Sequence, residues 1–240
     1  ETELPVMSVS RHDQSATWHY VSIAPDYSGA HVAIRGSGGI LIEGKVQLHG
    51  GYNYDNLLMA VAIANESGID PIDIAAILPH LTGAAGRLES VRLGQNFTAL
   101  VDYAHSPDAV TRVLETAHEI TDGRVIAVLG CGGDRDTSKR ALMGKALQDG
   151  ADVAIFTSDN PRSEKPEEIL VQMTLGLDIQ EPSAVIVDRS TAIKTAVDEA
   201  QEGDLVLILG KGHEKGQEIA GVNHPFDDRV ELARAIEDKK

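Results

Sequence analysis

Three loops rich in glycine and charge each follow an apolar, β-like run. GCGGDRDTSKR from Gly130 follows Val125 to Leu129, TSDNPRSE from Thr157 follows Val153 to Phe156, and GKGHEKGQE from Gly210 follows Leu205 to Leu209. In an open parallel sheet the strand ends point the same way, so loops distant in sequence line one crevice. This places Arg135, Asp159, Asn160, Arg162, Lys211 and Glu214 together. Fixed cations beside fixed carboxylates suit a small zwitterion such as a diamino acid, and suit an apolar ligand badly.

Each motif has a plainer reading. GCGGDRD occupies the place of a nucleotide-binding loop, yet its glycine spacing matches neither a Walker loop nor a dinucleotide fingerprint. A tight turn explains the glycines; it does not explain Asp134, Arg135, Asp136, Lys139 and Arg140 following so closely. In DNPR, Pro161 fixes its own φ and biases Asn160 toward an extended conformation, so the loop is expected to be stiff and Arg162 to be held for bidentate contact with a carboxylate. Alone it would read as a surface turn. In GKGHE two glycines let backbone N–H groups approach a ligand, and Glu214 can accept from an ammonium; His213 alone reads more readily as structural.

DYAHSPDA places Asp102 at a strand end, where acidic residues take ribose hydroxyls at other nucleotide sites, while His105 reads equally as a ligand contact or a helix-entry residue. Upstream, Asn53 and Asn56 stand three apart on one helical face and Arg87 precedes a strand; packing and capping account for these as well.

The elements that must position these residues fall into two patterns. Up to about Leu93, short strands are expected at Val6–Val9, Thr17–Ile23, His31–Ile34 and Gly39–Leu48, with a hairpin turn at Ser37–Gly39, then helices at Asn53–Ser67 and Pro71–Leu81. From Phe97 strands and helices alternate strictly. Strands are expected at Ala99–Val101, Val125–Leu129, Val153–Phe156, Ala184–Val187 and Leu205–Leu209, and helices at Pro107–Ile120, Arg140–Gln148, Pro166–Leu175, Thr191–Ala200 and Arg229–Ile236. The fold class is α/β: a mostly parallel, dinucleotide-fold-like sheet with helices on both faces, preceded by part of a mixed α/β domain. The boundary is placed at Leu93–Asn96, giving domains 1–94 and 95–240, and the closing EDKK is read as a frayed tail.

The chain has 240 residues and a net charge of −16, which opposes binding to a nucleic-acid backbone. No apolar run reaches the roughly 20 residues of a membrane helix, and the first residues lack a secretory signal, so a cytoplasmic monomer without membrane contact is expected. The single cysteine, Cys131, excludes an internal disulfide and a thiolate-built metal site. The start at Glu1, on strand-like sequence, suggests a piece of something longer.

Taken in order, Asn53-x-x-Asn56, GRLE, DYAHSPDA, GCGGDRD, DNPR, GKGHE and FDDR (Phe226 to Arg229) resemble the Mur ligases of peptidoglycan synthesis, most closely the members that add the third residue of the stem peptide. The resemblance spans nearly the whole chain. It implies an ATP-binding central domain followed by a C-terminal domain that brings the incoming amino acid, with DNPR marking meso-diaminopimelate as that amino acid. Arg135, Asp159, Asn160, Arg162, Gly210 and Glu214 would hold the diaminopimelate. Asn53 and Asn56 would lie near the adenine, and Arg87 and Asp102 would reach the phosphates and ribose. The implied cofactors are ATP and Mg2+, and the implied acceptor is UDP-N-acetylmuramoyl-L-alanyl-D-glutamate, activated as an acyl phosphate before the amine attacks. The family's Gly-Lys-Thr/Ser phosphate loop, its modified lysine and its UDP-sugar domain are not in this chain, which by itself is not expected to turn over. A lysine-adding or folylpolyglutamate-synthetase-like ligase is a second reading, and a non-catalytic nucleotide- or amino-acid-sensing module a third.

Overall fold

The computed structural model describes residues 6–26 and 28–240, which form two compact units divided between Gly83 and Ala84. In the first, the strands β1 (Val9–Ser10), β2 (Trp18–Asp26), β3 (Gly29–Arg35) and β4 (Leu41–Val46) make one sheet in that order, with β1 parallel to β2 and the rest antiparallel. Helices α1 (Gly51–Glu66) and α2 (Pro71–Ile77) cover it. Their inward residues, Leu57, Leu58, Val61 and Ile74, pack on Trp18, Val32, Ile34 and Ile42. Asp70 caps α2 by accepting from Ile72 N, and Pro71 takes the first position, where no N–H is required.

Several expected bounds shift. The strand expected at Val6–Val9 reduces to Val9–Ser10, and the helix expected to reach Leu81 ends at Ile77 and passes into a single 3-10 turn, Leu78–His80, around Pro79. Ser37–Gly39 does join β3 to β4, with Gly38 and Gly39 at φ of 67° and 83°.

The second unit is a six-stranded sheet in the order β5-β6-β10-β7-β8-β9: Glu89–Ser90, Thr98–Asp102, Leu205–Leu209, Val125–Cys131, Val153–Ser158 and Ala184–Val185. All strands run parallel except β5, which pairs antiparallel with β6. Because β5 belongs to this sheet, the units part ahead of it, upstream of the Leu93–Asn96 stretch singled out in the sequence.

Helices α3 (Pro107–Ile120), α4 (Ser138–Gly150) and α5 (Pro166–Met173) cover one face of the sheet; α6 (Arg189–Glu199) and α7 (Asp228–Lys239) cover the other. Every residue of β7 is buried, because period-two alternation sends Val125, Ala127, Leu129 and Cys131 to the first layer and Ile126 and Val128 to the second. Continuous apolar runs are therefore what a sheet covered on both faces requires. The strand expected at Ala184–Val187 stops at Val185. EDKK is no frayed tail: it continues α7, and Lys239 Nζ donates to the carbonyls of Val197, Asp198 and Ala200 at the end of α6.

Between the last sheet strand and α7 lies a hairpin absent from the sequence reading, β11 (Gly216–Ile219) paired antiparallel with β12 (Val222–Pro225). No helix among the described residues is long and apolar enough to cross a membrane.

Candidate active site: an amino-acid pocket at the carboxyl ends of the strands

The loops after β6, β7, β8 and β10 meet around a cavity of about 420 Å3 in the second unit. In the parallel sheet all four strands end on this edge, the place where open α/β sheets bind ligands. Arg135, Asp159, Asn160, Arg162 and Glu214, which the sequence places at one crevice with Lys211, line this cavity, as does Gly210, which the family resemblance adds.

Glycines set how closely the loops approach. A Cβ on Gly133 would lie 1.9 Å from Pro161 O, and one on Gly130 would lie 2.7 Å from Asp159 N. Gly130 and Gly133 thus admit the close approach of the DNPR backbone. Gly133 N donates to Asn160 O at 2.8 Å, and Arg162 Nη1 donates to Gly133 O at 2.7 Å. Behind them, Arg140 is buried and holds Glu164 through two bonds, Nη1 to Oε2 at 2.8 Å and Nη2 to Oε1 at 2.7 Å, while Nη2 also donates to Gly132 O. Arg140 pulls the Glu164 carboxyl down to about 2.

The β11–β12 hairpin braces DNPR from the other side. Arg162 N donates to Glu218 O at 2.9 Å and Ala220 N donates to Arg162 O at 2.7 Å, so the loop adds to the hairpin as a further short strand. Gln217 Nε2 donates to Asp159 O at 2.7 Å and to Ser158 Oγ at 3.1 Å. Arg162 sits at φ 52°, a left-handed conformation that costs free energy for any residue with a Cβ, and these bonds hold it there. Its guanidinium is partly engaged: besides the Gly133 contact, Nε lies 3.5 Å from Glu218 Oε2. The exposed Arg135 contacts its neighbour's carbonyl, Asp134 O, at a marginal 3.5 Å.

Lys211 departs from the expectation that it would face the crevice. It is fully buried behind the wall, its ammonium 3.0 Å from Asn160 Oδ1 and 3.3 Å from both Asp159 Oδ1 and Glu214 Oε2. Asn160 Nδ2 donates to Glu214 Oε2 at 2.9 Å. Burial pushes the Asp159 carboxyl above the usual carboxylate range, against the opposing pull of Arg189 and Lys211.

Sequence reasoning passed over Tyr103, Lys139 and Met143 as wall residues. His105, left even between ligand contact and helix entry, lies exposed on the wall, its ring centroid 4.6 Å from that of Tyr103. Cys131 also lines the cavity; burial pushes its thiol up to about 12, so it stays protonated. Position in a strand-end loop marks the glycines and charges, whereas Lys139 and Met143 come from α4, where helical spacing alone suggests surface and core.

The four residues read as contacts for a nucleotide divide between the units. In the first, Asn53 is buried with Nδ2 donating to His49 O at 2.8 Å, and Asn56 is exposed. In the second, Asp102 is buried and accepts from Leu88 N at 2.9 Å and Ala104 N at 2.8 Å, which fixes the entry to the DYAHSPDA loop; Arg87 lies 5.8 Å from the Tyr103 ring centroid. Among the described residues no group of three or more His, Cys, Asp or Glu is arranged to hold a metal ion.

The sequence and the architecture have counterparts among known proteins. Residues 86–212 match the family model described as Mur ligase, glutamate ligase domain. The UDP-N-acetylmuramoyl-L-alanyl-D-glutamate--2,6-diaminopimelate ligase of Streptomyces coelicolor is 44% identical over 242 residues, covering 98% of this chain and 48% of that protein. The ligase of the same name from Geobacillus thermodenitrificans is 46% identical over 197 residues, covering 82% of this chain and 40% of the relative. A solved structure of such a ligase superposes with a TM-score of 0.78 at 40% identity, covering 97% of this chain and 47% of the other. The chain thus spans about half the length of the relatives it matches. The matched segment runs from the approach to β5 through Gly212 and takes in the loops after β6, β7 and β8 and the start of the loop after β10, and on this match and the 44% identity over 98% of its length the chain belongs to the Mur ligase family.

Proposed function

We propose that this chain is the amine-binding part of an ATP-dependent ligase that joins meso-diaminopimelate to UDP-N-acetylmuramoyl-L-alanyl-D-glutamate in the cytoplasm. The observation that carries the reading is the charge pattern of one cavity, which is lined by the guanidinium-bearing Arg135 and Arg162 and by the carboxylate-bearing Asp159 and Glu214. Diaminopimelate has two ammonium and two carboxylate groups, and this lining offers partners for both carboxylates and for one ammonium. The names of the relatives at 44% and 46% identity support the same assignment.

ATP and Mg2+ would supply the activation of the acceptor carboxylate, and the residues of this chain would present the nucleophile. An amine held at fixed distance and angle reacts as if at very high local concentration, which is where positioning alone contributes several kcal/mol. Asp159 and Glu214 would hold one ammonium of the amino acid, and the arginines its carboxylates, so that the remaining amino group is aimed out of the pocket. Lysine offers a single carboxylate and leaves one guanidinium without a partner. A site built for a polar group rejects an analogue lacking it by factors that reach roughly 10⁴.

Calorimetric titration of this chain with meso-diaminopimelate and with L-lysine tests the reading. Diaminopimelate is expected to bind at least tenfold (~1.4 kcal/mol) more tightly than lysine. Absence of diaminopimelate binding, or equal affinity for the two, would refute it.

A further inference from the structure

The GKGHE loop reads as a ligand-contact loop, yet its lysine makes every bond it can inside the protein. An ammonium has three N–H donors. Lys211 is within hydrogen-bond reach of three acceptors, Asp159 Oδ1, Asn160 Oδ1 and Glu214 Oε2, drawn from the DNPR loop and from its own loop. The side chain has no solvent exposure. It therefore has nothing left to offer a ligand, and its effect must pass through the residues it holds.

Those three partners are interlocked. Asn160 Oδ1 also accepts from Glu218 N at 3.0 Å, so the amide oxygen is committed to Lys211 and the hairpin, and Nδ2 is turned to Glu214 Oε2. Each carboxylate gives Lys211 only one oxygen. Asp159 Oδ2 lies near Gly210, where a Cβ would be 3.9 Å from it. The charges facing Asp159 are Lys211 and Glu214 from the β10 loop, Arg189 from α6 and Asp228 from α7. Arg189 also pulls on Asp159 but is itself bonded to Asp228, whereas Lys211 lies 3.3 Å from a carboxylate oxygen of both Asp159 and Glu214, so the two carboxylates share it.

We propose that Lys211 is a positioning residue that acts as the resident counter-ion of the pocket, holding Asp159, Asn160 and Glu214 in the arrangement that receives a ligand ammonium on the remaining carboxylate oxygens of Asp159 and Glu214. Without it, two like charges face each other in a partly buried wall, and one of them takes a proton. A ligand ammonium must then displace that proton to bind. The inference rests on the reading of the cavity as an amino-acid site, but the state of the empty wall can be tested separately.

The variant is Lys211→Met, which keeps the length of the chain and removes the charge. Titration of the wild-type chain with meso-diaminopimelate in two buffers of different ionisation enthalpy is expected to show no net proton release at neutral pH. The variant is expected to bind on the order of tenfold or more weakly and to release a proton on binding. Equal affinity with no change in proton release overturns the proposal. In the ligand-free chain, the Asp159 side-chain carboxyl carbon, followed by NMR, is expected to titrate at higher pH in the variant; an unchanged titration also overturns it. If the wild-type chain does not bind diaminopimelate, the functional reading fails and this carboxyl titration still decides the role of Lys211. If the variant does not fold, the wild-type Lys211 ammonium resonance decides it. Slow exchange with solvent supports the buried three-way contact, and exchange as fast as that of surface lysines overturns it.

Discussion

Arg189 and Asp228 face each other with no solvent exposure on either side chain, Nε 2.8 Å from Oδ1 and Nη2 2.7 Å from Oδ2. The same guanidinium donates to Ser158 O at 3.2 Å and to Leu209 O at 2.8 Å, the last residues of β8 and β10. The FDDR motif is thus a clamp: Asp228 ties α7 to α6 and to two strand ends, while Asp227 caps α7 and Arg229 reaches Glu89. Replacing Asp228 by Asn removes one charge of a buried pair and leaves the other uncompensated, which costs about 3–5 kcal/mol. Urea unfolding should show a loss of that size; a loss below about 1 kcal/mol would show that the pair is dispensable.

Arg140 and Glu164 make an acid-sensitive joint between the two site loops. The Glu164 carboxyl is lowered in the folded chain from an ordinary value of 4.5 to about 2, so its stabilising contribution is fully present above the ordinary value and disappears as pH falls through this window. Glu164→Gln should lower stability at neutral pH by about 1–3 kcal/mol and flatten the dependence on pH between these limits. Thermal unfolding across the acid range measures this, and identical pH profiles for the two proteins would contradict it.

Gly133 separates packing from charge. A Cβ there meets Pro161 O at 1.9 Å, so Gly133→Ala forces the two loops apart while leaving every charged group in place. The expected cost is about 1–3 kcal/mol, with loss of diaminopimelate binding and spectral changes confined to residues 130–136 and 159–164. Unaltered binding would mean that the fit of the loops does not shape the pocket.

Arg162→Lys keeps the positive charge and loses the planar fork that reaches Gly133 O. Affinity for diaminopimelate should fall on the order of tenfold or more, with discrimination against lysine falling alongside it. Unchanged affinity and selectivity would show that DNPR serves as a turn alone.

Much of the second unit is legible in the residues because β7, β8 and β10 each open on an apolar run and lead into a loop of glycine or proline with charge. The convergence of Arg135, Asp159, Arg162 and Glu214 follows from parallel topology. The hairpin was not legible. All four residues of β12 are exposed, so no alternation marks it, and its partner β11 is fixed by bonds to a loop more than fifty residues earlier. The orientation of Lys211 escaped for a related reason: a glycine-flanked lysine in a strand-end loop reads as solvated or ligand-facing until its three acceptors are seen around it. A strand after Arg87 was legible, but two residues carry no period that would assign β5 to the second sheet, and the place where the units part escaped with it.

The backbone contact between GCGG and DNPR makes each loop the mould of the other. Transplanting DNPR by itself into a ligase of different amine preference would set an Arg at positive φ without the glycines that admit it or the hairpin that holds it. Redesign of the amine preference should therefore move residues 130–136, 159–164 and 210–225 as one cassette, and the evolutionary drift of any one of these segments is constrained by the other two.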